Sequence, residues 1–130
     1  MKYLAYGSNL NLKMMEDRLG KVNILGVYKL VGYRLVCDNY LSVEKKENSF
    51  VMCGKFEIDE SDEILLDEYE DYPGLYHKEY IDGCLIYVKN NITNAKPSDQ
   101  YIKDCLNGFK DFNFDDLPLI EAFNEAKQRK

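Results

Sequence analysis

A chain of 130 residues with 45% apolar and 31% charged side chains is sized for a single domain, residues 1–130, with a hydrophobic core that needs no disulfide or metal staple. Its net charge of −6, from 17 basic and 23 acidic side chains, argues against nucleic-acid or anionic-membrane partners, and no apolar run approaches the roughly 20 residues of a membrane span. The first five residues read as a strand rather than a secretory signal, so a cytoplasmic location is expected, with Cys37, Cys53, Cys84 and Cys105 as buried free thiols rather than zinc ligands.

The chain opens on an apolar strand, Met1 to Ala5, that runs into Tyr6-Gly7-Ser8-Asn9-Leu10. A Gly-Ser-Asn run leaving a strand exposes successive main-chain N–H groups. The helical spacing of Leu12, Met15 and Leu19 places those donors at a helix start, suited to an anion or a carbonyl oxygen. The same residue types also make ordinary turns and N-caps. Alternation over residues 23–30 and again over 32–37 predicts two strands, residues 44–49 a charged loop, and residues 50–58 a largely buried strand. Asp59-Glu60-Ser61-Asp62 starts a short helix with Leu65, Leu66 and Tyr69 on one face. Pro73-Gly74 supplies the turn that ends this unit, leaving Glu70 at or near the helix end.

Residues 76–81 and 84–88 read as two strands joined through Asp82-Gly83, a favoured hairpin dipeptide. After a loop over 90–98, Pro97-Ser98-Asp99-Gln100 begins a helix with Tyr101, Ile102, Cys105 and Leu106 on one face and Gly108 near its stop. A last helix runs from around Asp115 or Leu117 to Lys127. Phe109, Phe112 and Phe114 read either as a dimer contact or as a seat for that helix, which leaves monomer and homodimer open. Strands linked mostly by turns point to an α+β fold with a curved or closed sheet.

Glu70 is the residue whose surroundings suggest chemistry. Tyr69, Tyr72 and the apolar Leu65, Leu66 and Leu75 would partly desolvate it, raise its pKa toward neutrality and suit it to general-base work. Beside Asp67, Glu68 and Asp71 it also reads as one more solvated charge on an acidic helix. Asp67 fits a hydrogen-bonding residue that orients the loop. Tyr6, Tyr76 and Tyr101 are candidate hydroxyl donors to a polar ligand, although among 11 tyrosines most will sit at the core edge. His77 follows Tyr76 on a strand and so faces the other way. Ser8 lacks the G-x-S-x-G setting of a nucleophile, which favours a binding role for its hydroxyl or backbone.

Tyr6-Gly7-Ser8-Asn9-Leu10 after an N-terminal strand, Gly32-Tyr33-Arg34-Leu35, Leu66-Asp67-x-x-Glu70 followed by Pro73-x-x-Tyr76, and Pro97-Ser98-x-x-Tyr101 with Gly108 together resemble the gamma-glutamylcyclotransferase-like family, in particular its short bacterial-type, AIG2-like members. The resemblance implies a small mixed β-barrel flanked by helices. It also implies cyclisation of a small γ-glutamyl amine or peptide to 5-oxoproline, with no metal or organic cofactor. By position, Glu70 would be the general acid/base, the backbone of Gly7, Ser8, Asn9 and Leu10 would hold the γ-glutamyl group, and Tyr6, Tyr76 and Tyr101 would line the pocket. Asp71 stands where the family often has glycine, which adds a charge beside the base. Two other readings stay open: a binding module that kept the fold without turnover, and γ-glutamyl transfer to an external amine.

Overall fold

In the computed structural model, which describes residues 1–130, each helix but the last begins on a side chain that caps it. Asn11 accepts from the Met14 N–H at 3.2 Å to start α1 (Leu12–Leu19). Asp59 and Asp62 form a reciprocal capping box at α2 (Glu60–Tyr69), and Ser98 accepts from the Tyr101 N–H at 3.1 Å to start α3 (Asp99–Asp111). Such caps satisfy N–H groups that the first helical turn leaves unpaired. The last helix, α4 (Leu117–Gln128), instead carries a proline in its first turn, where no N–H is missed.

Five strands form one mixed sheet in the order β2-β3-β1-β5-β4. The central strand β1 (Lys2–Ala5) runs antiparallel to β3 (Leu41–Glu57) and parallel to β5 (Cys84–Lys89). β4 (Tyr76–Ile81) pairs with β5 through a tight turn whose Asp82 and Gly83 both have positive φ, 51° and 74°, as a two-residue hairpin of the favoured twist requires. β2 (Ile24–Cys37) and β3 make a long antiparallel hairpin with register shifts at Ile24/Gly26 and Val31/Tyr33. Gly32 sits in the second of these with φ 84°, so one strand bends where the alternation suggests two.

The α+β class and the mixed sheet are as expected, but the sheet does not close into a barrel. β2 and β4 both remain edges, and β2 meets the β4–β5 turn through side chains, Tyr28 donating to the Asp82 carboxylate. α4 packs on β2, with Arg34 bonded to Glu125 at 3.3 Å. Residues 44–49 also differ from expectation, being strand rather than loop. Of these, Glu44 and Lys45 pair with Arg34 and Tyr33 of β2, with Arg34 bonded to Glu44 at 2.7 Å, while residues 46–49 fall in the register shift opposite Val31/Tyr33 and their charged side chains face water. α3 ends at Asp111, three residues after Gly108, near where expected, but Leu65 is exposed where Leu66 is buried.

One apolar cluster, including Leu4, Leu10, Met15, Phe56, Leu66 and Leu85, lies between the sheet and the helices. All four cysteines are free and buried in the structure, and burial pushes the Cys37 and Cys53 thiols up to about 12. Phe109, Phe112 and Phe114 stack edge-on and tilted with one another, and Phe112 meets Phe56, so the aromatic group belongs to this core. No helix is long and apolar enough to cross a membrane.

Candidate active site

A cavity of roughly 230 Å³ opens where the C-terminal end of β1 meets the C-terminal end of α2. Its first wall is the loop after β1. Ser8–Leu10 form one 3-10 turn, closed by Leu10 N–H to Gly7 O and Asn11 N–H to Ser8 O, both 3.0 Å. The N–H groups of Gly7, Ser8 and Asn9 are left with no acceptor inside the turn, and all three residues line the cavity. Leu10 does not. Its side chain is fully buried in the core, where α3 approaches so closely that a Cβ on Gly108 would stand 2.7–2.8 Å from Leu10 and Asn11 atoms.

The second wall is the end of α2. Asp71 N–H bonds Glu68 O at 3.2 Å and Tyr72 N–H bonds Asp67 O at 2.9 Å, a Schellman cap with Asp71 at the left-handed position, φ 51°. This geometry stops the helix at Glu70 and aims its side chain into the cavity. Desolvation raises the Glu70 carboxyl to about 7, against a smaller lowering effect of Arg18. The adjacent Asp71 carboxylate is not among the causes of that shift.

Asn9 joins the two walls. Its Nδ2 donates to Glu70 Oε1 at 3.3 Å and to the Tyr3 hydroxyl at 2.7 Å, while its Oδ1 accepts from Arg18. The Arg18 guanidinium lies 3.3 Å from the centroid of the Tyr69 ring, and the Tyr69 hydroxyl meets Ser8 Oγ at 2.8 Å.

The remaining walls are mostly tyrosines, joined by Leu41 and Leu75. Tyr6 and Tyr76 line the cavity, yet their hydroxyl hydrogens go to main-chain oxygens, Tyr87 O at 2.6 Å and Leu41 O at 2.8 Å. In this geometry they shape the cavity and hold the backbone around it, where sequence reasoning made them donors to a ligand. The Tyr101 hydroxyl accepts from Leu41 N–H at 2.9 Å and stands 3.5 Å from where a Gly7 Cβ would be. Burial first of all drives the phenols of Tyr3, Tyr6, Tyr76 and Tyr101 far above their ordinary value, which keeps them neutral beside a Glu70 carboxyl held near 7. Asp67 accepts from Tyr87 at 2.6 Å and from Lys78 at 3.1 Å, tying α2 to the sheet. His77 sits on the other side of β4, bonded to Glu79 and Asn90.

Behind the Tyr40–Leu41 wall lies a buried ion pair. Lys89 Nζ meets Asp38 Oδ1 at 2.5 Å, and both side chains are almost wholly out of solvent. Asp38 also accepts from Tyr40 N–H, Thr93 N–H and the Thr93 hydroxyl. Burial alone would raise its carboxyl, but the Lys89 bond and the main-chain donors outweigh this and hold it below the ordinary value.

Of the residues singled out from sequence, Tyr6, Gly7, Ser8, Asn9, Glu70, Tyr76 and Tyr101 line this one cavity, and Leu10 alone does not. Sequence reasoning missed Tyr3, Tyr40, Leu41 and Tyr87 in the wall, and Arg18 behind it. The one signal for Arg18 is its place three residues after Met15, the buried position of α1.

The family model described as "Gamma-glutamyl cyclotransferase, AIG2-like" matches residues 3–105. No curated protein sequence matches the chain. Among solved structures, one described as "Gamma-glutamyl cyclotransferase" is 24% identical with a TM-score of 0.74, covering 100% of this chain and 88% of its own. An uncharacterized protein, loc79017, from Homo sapiens is 23% identical, with a TM-score of 0.73 over 99% and 87% of the two chains. The uncharacterized protein PH0828 from Pyrococcus horikoshii is 15% identical, with a TM-score of 0.61 over 99% of each chain. At these identities the structural likeness speaks to the fold.

Proposed function

This chain belongs to the gamma-glutamyl cyclotransferase, AIG2-like family, and from that premise we propose that it cyclises the γ-glutamyl group of a small γ-glutamyl amine, peptide or γ-glutamyl-lysine-type isopeptide, releasing 5-oxoproline and the free amine. The observation that carries the reading is a carboxyl held near 7 at the end of a cavity whose opposite wall is the Gly7–Asn9 loop. At roughly 230 Å³ the cavity is smaller than the ~300–1,000 Å³ usual for drug-sized ligands, which suits a glutamyl-sized group.

In this reading Glu70, as carboxylate, takes a proton from the substrate α-ammonium. The freed amine attacks the γ-carbonyl carbon of the same molecule, forming the ring C–N bond and a tetrahedral oxyanion. Unpaired N–H groups of the loop stabilise that charge. Glu70 then returns its proton to the departing nitrogen as the old C–N bond breaks, and takes the second proton that the ring nitrogen must shed, passing it to the freed amine, which leaves as an ammonium. A group that must both accept and release a proton works best with a pKa near the operating pH. Attack within one molecule already has high effective molarity, so the walls need only fold the glutamyl chain into an attacking conformer.

The test is mass-spectrometric detection of 5-oxoproline from γ-glutamyl amines, γ-glutamyl amino acids, glutathione and ε-(γ-glutamyl)lysine, with wild type and Glu70→Gln. Product from the wild type and at least ~10²-fold less from E70Q is expected. Equal product from both removes Glu70 from the mechanism, and none from either across the panel overturns the enzyme in favour of a binding module.

A further inference from the structure

We propose that Arg18 is a positioning residue: through Asn9 it holds an amide N–H toward Glu70 and so keeps that carboxyl oriented and available as a carboxylate. The inference rests on Glu70 being the base.

Asparagine can present either its oxygen or its nitrogen to a neighbour, and the partners decide which. Guanidinium has donors only, so the Asn9 atom facing Arg18 must be Oδ1. Nδ2 is thereby turned toward Glu70 Oε1, 3.3 Å away, and the Tyr3 hydroxyl, 2.7 Å away. If the amide rotated, an oxygen would face the Glu70 oxygen, and the carboxylate would lose a donor and gain a repulsion. Arg18 is itself fixed by lying flat on the Tyr69 ring, a seat that the planar guanidinium fills and an ammonium does not.

The titratable and charged groups around Glu70 are Arg18 from α1, Tyr3 from β1, Tyr6 after it, Tyr76 from β4, and Tyr69 and Asp71 at the end of α2. Arg18 is the sole cation of the set. It does not line the cavity, so its influence reaches the base by the Asn9 bond and by its field.

The experiment is a carbon-detected NMR titration of the Glu70 side-chain carboxyl in wild type, Arg18→Gln, Asn9→Ala and the double variant. R18Q is expected to move the midpoint upward by about half a pH unit or more, and in the N9A background that shift should fall by at least half, as coupled neighbours do in a double-mutant cycle. The acid limb of the 5-oxoproline rate profile should move with the midpoint. A midpoint that R18Q leaves in place overturns the proposal, and so does a shift equal in both backgrounds, which would mean a bare charge effect. If R18Q does not fold, Arg18→Lys takes its place in the same cycle with the same criteria, since it keeps the cation and loses the flat fork. The titration reads Arg18 whether or not any γ-glutamyl compound turns over, so absence of product would fail the functional reading alone.

Discussion

Replacing Glu70 by glutamine should stabilise the protein while abolishing its chemistry, and the gain should depend on pH in a defined direction. The native carboxyl sits at about 7 against an ordinary 4.5, so the folded state binds this proton more tightly than the unfolded chain. Stability from that preference is fully present below about pH 4.5 and is lost as pH rises through about 7. The gap of about 2.5 pH units, at roughly 1.4 kcal/mol each, corresponds to about 3 kcal/mol. Glutamine is nearly isosteric, keeps an oxygen for Asn9 and carries no charge to desolvate. The stability of E70Q relative to wild type should therefore grow by about 3 kcal/mol between roughly pH 4 and pH 8.5, a Tm difference on the order of 10 °C for a chain of this size. Urea melts of both proteins across that range measure it. A stability difference that stays flat with pH, or that narrows as pH rises, would refute the reasoning and return Glu70 to the status of a solvated or compensated charge.

Two further outcomes follow from the site's supports. Asp38→Ala leaves the buried Lys89 with only Asn39 Oδ1, 3.4 Å away, as a partner and should cost about 3–5 kcal/mol in a denaturant melt, whereas Asp38→Asn with Lys89→Met, which removes both charges and keeps an acceptor for the Tyr40 and Thr93 donors, should recover part of that loss. Asp71→Gly relieves a left-handed residue at the α2 cap and should raise stability by up to about 1 kcal/mol; a loss of stability would show that the Asp71 side chain contributes contacts of its own.

Local signals in the chain were legible wherever one residue's own chemistry decides the outcome. Asp82-Gly83 makes its hairpin, and Asp59 and Ser98 cap their helices. Signals that depend on a distant partner were not. Residues 44–49 carry a loop's composition yet lie within β3, because β2 supplies ladder partners for Glu44 and Lys45 on one side and Phe50 on the other, with residues 46–49 held in the register shift between them. Whether the outermost strands bond to each other is likewise invisible in alternation, which reports faces rather than edges. At the site, the motif residues converge on one cavity, but the local neighbours expected to bury Glu70 do so only in part. Leu65 and Tyr72 are each 38% exposed, and the cavity around Glu70 is completed by Tyr3, Tyr6 and Tyr76, which arrive from β1, the loop after it, and β4. Arg18 enters from yet another element, α1, where its spacing from the buried Met15 is the one local hint of it.

The tyrosine walls carry a thermodynamic consequence. With Tyr6, Tyr76 and Tyr101 already bonded to main-chain groups, the side chains that surround a ligand have surrendered their rotational freedom during folding. A molecule entering the cavity meets little that still has to be ordered, so the entropy lost on association is chiefly its own. For the proposed γ-glutamyl substrate, whose flexible chain has several torsions to give up, a stiff wall would let their loss select the folded-back conformer over the extended one.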